Sequence, residues 1–216
     1  MQLPNKELRE ILLPAYLPCS HYGTCREAQF HPELGQVLRG FLGATGAPED
    51  VEVVMVFSEP GHPHPKEQYS AKCPPEQLLN ESLSYVYECF ASGTDAFHRN
   101  ARWFIDQLYP DQPFDQQLRH VWLTEGRLCS ITKEIGSTTD KTCSSRYLSQ
   151  QLSVLPNAIV VAFGGKAQRY LNALNVVFIK AFALSPPGAN HKPAKPSWET
   201  AISKIQDPRS KIQDRR

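Results

Sequence analysis

Apolar residues collect into four short runs separated by longer stretches of helical period. The runs are VEVVMVF (51–57), HVWLT (120–124), AIVVAFG (158–164) and VVFIKAFAL (176–184). Continuous, β-branched runs of this kind are the pattern of strands buried on both faces of a parallel sheet. Between them lie amphipathic stretches: PPEQLLNESLSYVYECF and TDAFHRNARWFIDQL after the first run, SSRYLSQQLSVL after the second and KAQRYLNAL after the third. A last stretch, PSWETAISKI, closes the series. Strand–helix alternation predicts an α/β protein, a three-layer sandwich with a central four-stranded parallel sheet flanked by helices.

The chain of 216 residues, 41% of them hydrophobic, suffices for one core, so one domain is expected over 1–206. The remainder, 207–216, lies in a polar stretch that repeats SKIQD and reads as a disordered tail. No apolar run approaches the roughly 18 residues of a membrane span, and the start of the chain lacks a basic, then apolar leader. An intracellular, cytoplasmic monomer is expected, nucleoid-associated if bacterial. The net charge of +1 is uneven: residues 189–216 carry seven Lys or Arg against three Asp or Glu, which leaves the rest at −3. There is no uniformly basic surface, so any contact with a polyanion must be local.

In parallel sheets ligands bind beyond the carboxyl ends of the strands, so the residues just past each run carry the most information about function. Past the first comes SEPGHPHP: Ser58, then Glu59 held extended by Pro60, with Gly61 allowing close backbone approach and His62 beyond. A carboxylate there can serve chemistry, or be a solvated acid in a turn. His62, His64 and Glu59 could also ligate a metal in a hydrolase, although no further ligand is evident. After the third run, Gly164 and Gly165 open a helix, which suits a phosphate or an ordinary turn. After the fourth, SPPGANHKP offers Ser185, Pro186, His191 and Lys192 as a stiff, basic loop able to grip a nucleic-acid backbone.

These segments together resemble the uracil-DNA glycosylase superfamily over about residues 16 to 205. FSEPG is similar to its first motif, a strand followed by an acidic, amide or small residue, then Pro, then Tyr or Gly. VWLTEGRLCSI resembles the strand of the iron-sulfur members that ends in Thr-Asn with Cys four residues on. CSSRYLSQQLSVLPNAIVVAFGGKAQRYL is similar to their Cys, Tyr-Leu, helix, strand, Gly and helix run. ALSPPGANHKPAKPSWETAI resembles the closing motif and its Trp-bearing helix.

The resemblance implies a monofunctional DNA base glycosylase of base excision repair. It would hydrolyse the N-glycosidic bond of a flipped uracil or related deaminated base in single- or double-stranded DNA. Glu59 would stabilise the sugar cation or orient water, and backbone N–H groups of 60–62 would help stabilise the leaving base. Glu125 matches the Asn that reads the base. A carboxylate there suits a base edge with two donors if ionised, mimics the amide if protonated, or is a structural acid paired with Arg127 or Lys133. The closing motif's His corresponds to Ala183, with His191 or His62 as substitutes. Phe57, Tyr69 and Phe97 are candidates for an aromatic floor. With these departures, a non-catalytic nucleic-acid-binding member of the same fold is the alternative.

The six cysteines stand at 19, 25, 73, 89, 129 and 143. The iron-sulfur members carry a close pair before the first strand and a wider pair around the second strand's loop. That plan implies a 4Fe-4S cluster on Cys19, Cys25, Cys129 and Cys143; Cys73 and Cys89 are left over, and Cys89 reads as a small core residue. Zinc on the four, or six unligated buried thiols, are the alternatives.

Overall fold

The computed structural model describes residues 3–25, 27–131 and 141–207. The chain opens with helix α1 (Lys6–Leu12), capped where the Asn5 side chain accepts from the Leu8 N–H at 3.1 Å. Two short strands come next, β1 (Ala28–Gln29) and β2 (Leu42–Gly43), then β3 (Val53–Phe57). Helices α2 (Pro75–Ser92), α3 (Ala96–Leu108) and α4 (Phe114–His120) lead to β4 (Val121–Glu125) and the short β5 (Ser130–Ile131). A π-helical turn, Ser144–Leu148, runs into α5 (Ser149–Ser153). β6 (Ile159–Phe163), α6 (Gly165–Ala173), β7 (Ile179–Ala181) and α7 (Ala194–Gln206) complete the series.

The central sheet has five strands in the order β2-β4-β3-β6-β7. The four expected strands are present and mutually parallel, but β2 adds a fifth, antiparallel to β4 with Leu42 opposite Leu123. Its two residues sit among glycines, too short to leave an alternating pattern. Gly43 is required there, because its φ is +103° and a Cβ would lie 2.2 Å from the Val121 carbonyl oxygen. The fourth strand is also shorter than its apolar run. Val177 is 77% exposed, so the run's start lies outside the sheet. The expected tail lies, apart from Asp207, outside the described residues.

Period-two alternation divides the sheet's side chains between two cores. Val54, Val56, Trp122 and Ala162 pack with Leu8 and Leu12 of α1, Leu79 of α2 and Leu171 of α6. Val53, Met55, Phe57, Leu123 and Phe163 pack on the other face with Phe104 of α3 and Trp198 of α7. Each fully buried side chain of this size contributes about 1.5–3 kcal/mol of transfer free energy. One buried amide serves the first core: Gln151 accepts from Trp122 Nε1 at 2.9 Å and from Thr124 Oγ1 at 2.7 Å. Among the described residues no helix is long and apolar enough to cross a membrane.

The topology has one consequence for ligands. From β3 the chain moves outward to β4, then returns past β3 to β6, so the strand order reverses at β3. A crevice forms beyond the carboxyl ends at such a reversal.

Candidate active site

β3 and β4 end on the same rung, with Phe57 opposite Glu125. Glu125 is therefore the last residue of a strand and not part of the following loop. Beyond it the ladder continues, as Gly126 and Arg127 N–H groups donate to the Phe57 and Ser58 carbonyls at 3.0 Å each. This pairing fixes Glu59, two residues past the rung, beside Glu125.

Both acids line a cleft of about 590 Å³. Ser58, Pro60, Gly61 and His62 share it, as do Ser185 and Pro186 from the closing loop. That loop is held from two sides. Asn100 Nδ2 donates to the Leu184 carbonyl at 2.8 Å, and Trp198 Nε1 donates to the Phe182 carbonyl at 2.9 Å. The apolar wall is Phe57, Phe90, Phe97 and Phe163; the Phe57 ring meets Phe97 edge-on at 5.0 Å and stacks on Phe163 at 5.4 Å. Two of the three expected aromatics are thus on the cleft. The third, Tyr69, is buried away from the lining and donates to Glu67 Oε1 at 2.8 Å.

Gly164, His191 and Lys192 do not line the cleft. His191 and Lys192 are exposed, and the His191 ring lies 6.2 Å from that of Phe182. Gly164 packs against Ala183, where a Cβ would lie 3.1 Å from the Ala183 methyl. It makes room for the closing loop, and its N–H donates to the Ala181 carbonyl at 2.9 Å. Ala183 itself lines the cleft and presents a methyl where a donor was sought. The metal reading of His62 and His64 gains no further ligand: among the described residues, no group of three or more His, Cys, Asp or Glu could hold a metal ion.

Each acid has one oxygen that is buried and without a hydrogen-bond partner among the described residues. Glu59 Oε1 accepts from Lys166 Nζ at 2.7 Å, with the two side chains only 2% and 11% exposed. Its Oε2 is buried without a hydrogen-bond partner among the described residues, and so is Glu125 Oε2. Glu125 is 4% exposed. Burial raises its carboxyl well above the ordinary glutamate value; the nearby Glu59 adds to this and Arg39 opposes it. The pairing with Lys133 weighed for Glu125 lies outside the described residues.

Sequence reasoning passed over several residues at this site. Arg39 forms an ion pair with buried Glu67 and donates through Nη2 to the Gly61 carbonyl at 2.6 Å, clasping the turn after Glu59. Lys166 was visible only as part of a glycine turn. His98 and Asp95 also line the cleft. Asp95 caps α3 by accepting from the His98 N–H at 3.0 Å. His98 Nδ1 lies 2.9 Å from Asp95 Oδ1, off the line of a hydrogen bond. Burial lowers the His98 imidazole, and Asp95 partly offsets this.

A second, small pocket of about 40 Å³ is lined by Cys19, Cys25, Cys129 and Cys143, together with apolar Leu38, Leu128 and Tyr147. The two cysteine segments are stitched together by β1 pairing with β5, by a bridge between Leu38 and Cys129, and by Ser130 Oγ donating to the Val37 carbonyl at 2.9 Å. Burial pushes the Cys129 thiol up to about 12 and the Cys143 thiol to about 11, and the neighbouring cysteines push both the same way. Cys89 is buried and borders the main cleft, while Cys73 donates to the Ser70 carbonyl at 3.1 Å.

Neither a comparison with models of known protein families nor a search of curated proteins finds a match for the chain.

Proposed function

We propose that the protein is a monofunctional DNA base glycosylase of the uracil-DNA glycosylase superfamily, nearest its iron-sulfur branch. The observation that carries this reading is the meeting of Glu59 and Glu125 in one cleft walled by phenylalanines. Breaking a bond between base and deoxyribose builds positive charge on the sugar and negative charge on the base. Glu59, held by Lys166 through Oε1 and with Oε2 buried and without a hydrogen-bond partner among the described residues, lies on the cleft wall, where it would act on the sugar cation or on water. Glu125 meets the edge of the base, and the aromatic wall replaces the stacking lost on eversion. Ser185 and Pro186 contact the flipped strand at the rim. Exposed His191 and Lys192 act outside the cleft, on flanking phosphates.

Cys19, Cys25, Cys129 and Cys143 fit a 4Fe-4S cluster by donor type and by their common apolar pocket. Bound there, the cluster would act as a structural staple between the amino-terminal segment and the loop after β4. Among the described residues no group of three or more His, Cys, Asp or Glu is set to hold a metal ion, a finding that bears on zinc and on the cluster alike.

Ala183 on the cleft wall favours a second reading, a member of the fold that binds unusual bases without excising them. The purified protein, incubated with duplex and single-stranded DNA bearing single uracil, hypoxanthine, xanthine or mispaired bases and then treated with alkali, separates the two. Strand breaks at one of these bases are expected, and Glu59→Gln should abolish them while sparing affinity. Binding with no alkali-sensitive product on the whole panel refutes excision, and a fully active E59Q refutes the role of Glu59.

A further inference from the structure

We propose that Glu125 stands in the cleft as a neutral carboxylic acid and gives its proton to the departing base, acting as general acid and bringing bases that leave poorly as anions within reach. This role rests on the protein being an excising enzyme.

Glu125 is pressed from below: a Cβ on Gly40 would lie 2.6 Å from its Cγ, which leaves no room for solvent under the stem. Its Oε2 is buried and without a hydrogen-bond partner among the described residues, on a side chain that lines the cleft. An ionised carboxylate has about four lone-pair sites to satisfy, whereas a protonated one brings its own donor. The facing charges divide, with Glu59 favouring the neutral form and Arg39 opposing it. Glu59 comes from the loop after β3. Arg39, from the segment before β2, is committed to Glu67 and the Gly61 carbonyl. Lys166 of α6 serves Glu59. His62, His64, Asp95 and His98 line other parts of the same cleft. Burial and Glu59 both raise the Glu125 carboxyl, in keeping with this placement.

Two carboxyl groups in unlike settings divide the work of acid and base. The ion-paired Glu59 takes the part of the base and the dry Glu125 that of the acid. In the reaction the C1′–N bond breaks and its electron pair goes to the base, while the Glu125 O–H proton moves to an acceptor atom of that base. Water adds its oxygen to C1′ and yields a proton to Glu59. The base leaves neutral, the sugar gains a hydroxyl, and the proton on Glu59 restores Glu125 directly or through solvent. A proton donor in this position does what the methyl of Ala183 cannot.

The test compares wild type, Glu125→Gln and Glu125→Asp on duplexes carrying uracil or 5-fluorouracil, bases of the same shape of which the second leaves more readily as an anion. With a general acid removed, E125Q should lose about 100-fold or more on uracil and less than about 10-fold on 5-fluorouracil. E125D should recover part of the uracil rate. Independently, the infrared difference spectrum of wild type minus E125Q at pH 7 should show the carbonyl stretch of a protonated carboxyl group. An ionised Glu125, or equal losses on both duplexes, overturns the inference and leaves excision standing. No product from wild type on either duplex removes the departing base, and the donor role goes with it.

Discussion

Replacing Lys166 with Met tests the electrostatic frame of the cleft. The Lys166–Glu59 pair is 2.7 Å long and almost wholly buried, so solvent screens it little. At an effective dielectric of about 20, Coulomb's law gives an attraction of about 6 kcal/mol at that distance. Removing one partner of a buried pair costs about 3–5 kcal/mol, because the acid left behind must hold an uncompensated charge or take up a proton. For a chain of this size 1 kcal/mol corresponds to about 2–4 °C of Tm, so K166M should melt about 6 to 20 °C below wild type. Calorimetry at pH 7.5 reads this directly. The decisive variant is the double one: with Glu59→Gln added, no charge is stranded, and most of the loss should return. A K166M protein within 2 °C of wild type, or a double variant no better than K166M, would refute the reasoning.

Two further outcomes are expected of the same structure. The raised Glu125 carboxyl binds its proton more tightly folded than unfolded, so stability falls as pH rises above 4.5, the ordinary glutamate value, toward the folded one. Glu125→Gln lacks this loss. Its unfolding free energy should gain on that of wild type by about 1.4 kcal/mol per pH unit in that window, and the Tm values of the two proteins at pH 5 and pH 8 should diverge accordingly; parallel curves would contradict it. Protein reconstituted anaerobically with iron and sulfide should hold about four irons per chain, and Cys129→Ser should lose them. Elemental analysis that finds zinc in place of iron would remove the cluster.

The strands were legible because each lies in a mostly apolar run, interrupted in the fourth by Lys180, and the acids were legible because chemistry gathers where such runs end. That rule pointed to the residues past each run, while the choice of Glu125 and of Cys19, Cys25, Cys129 and Cys143 came from the resemblance; the structure sets the two acids on one cleft and the four cysteines on one pocket. The supporting pairs were not legible. Arg39 meets Glu67 across 28 positions and Lys166 meets Glu59 across 107, and no local pattern marks a contact of that span. Lys166 reads as one more charge at the start of a helix, and Glu67 in PKEQY as a solvated acid, although it is buried. The edge strand β2 was hidden because two residues cannot show alternation. His191 and Lys192 fell outside the cleft because composition says how stiff a loop is, not which way it faces. Gly164 was read as a phosphate site or an ordinary turn, and its φ of +89° instead accompanies close packing against Ala183.

The shared rung of Phe57 and Glu125 has a bearing on how this molecule could change over generations. The two acids are spaced by adjacent backbone hydrogen bonds, while the long excursion through α2, α3 and α4 that separates them in the chain loops away and returns. Insertions or deletions in that excursion leave the distance between the acids untouched, so its length is free to drift. A single-residue slip between the two strands is another matter: it would turn Glu125 to the opposite face of the sheet and extinguish the site at one stroke.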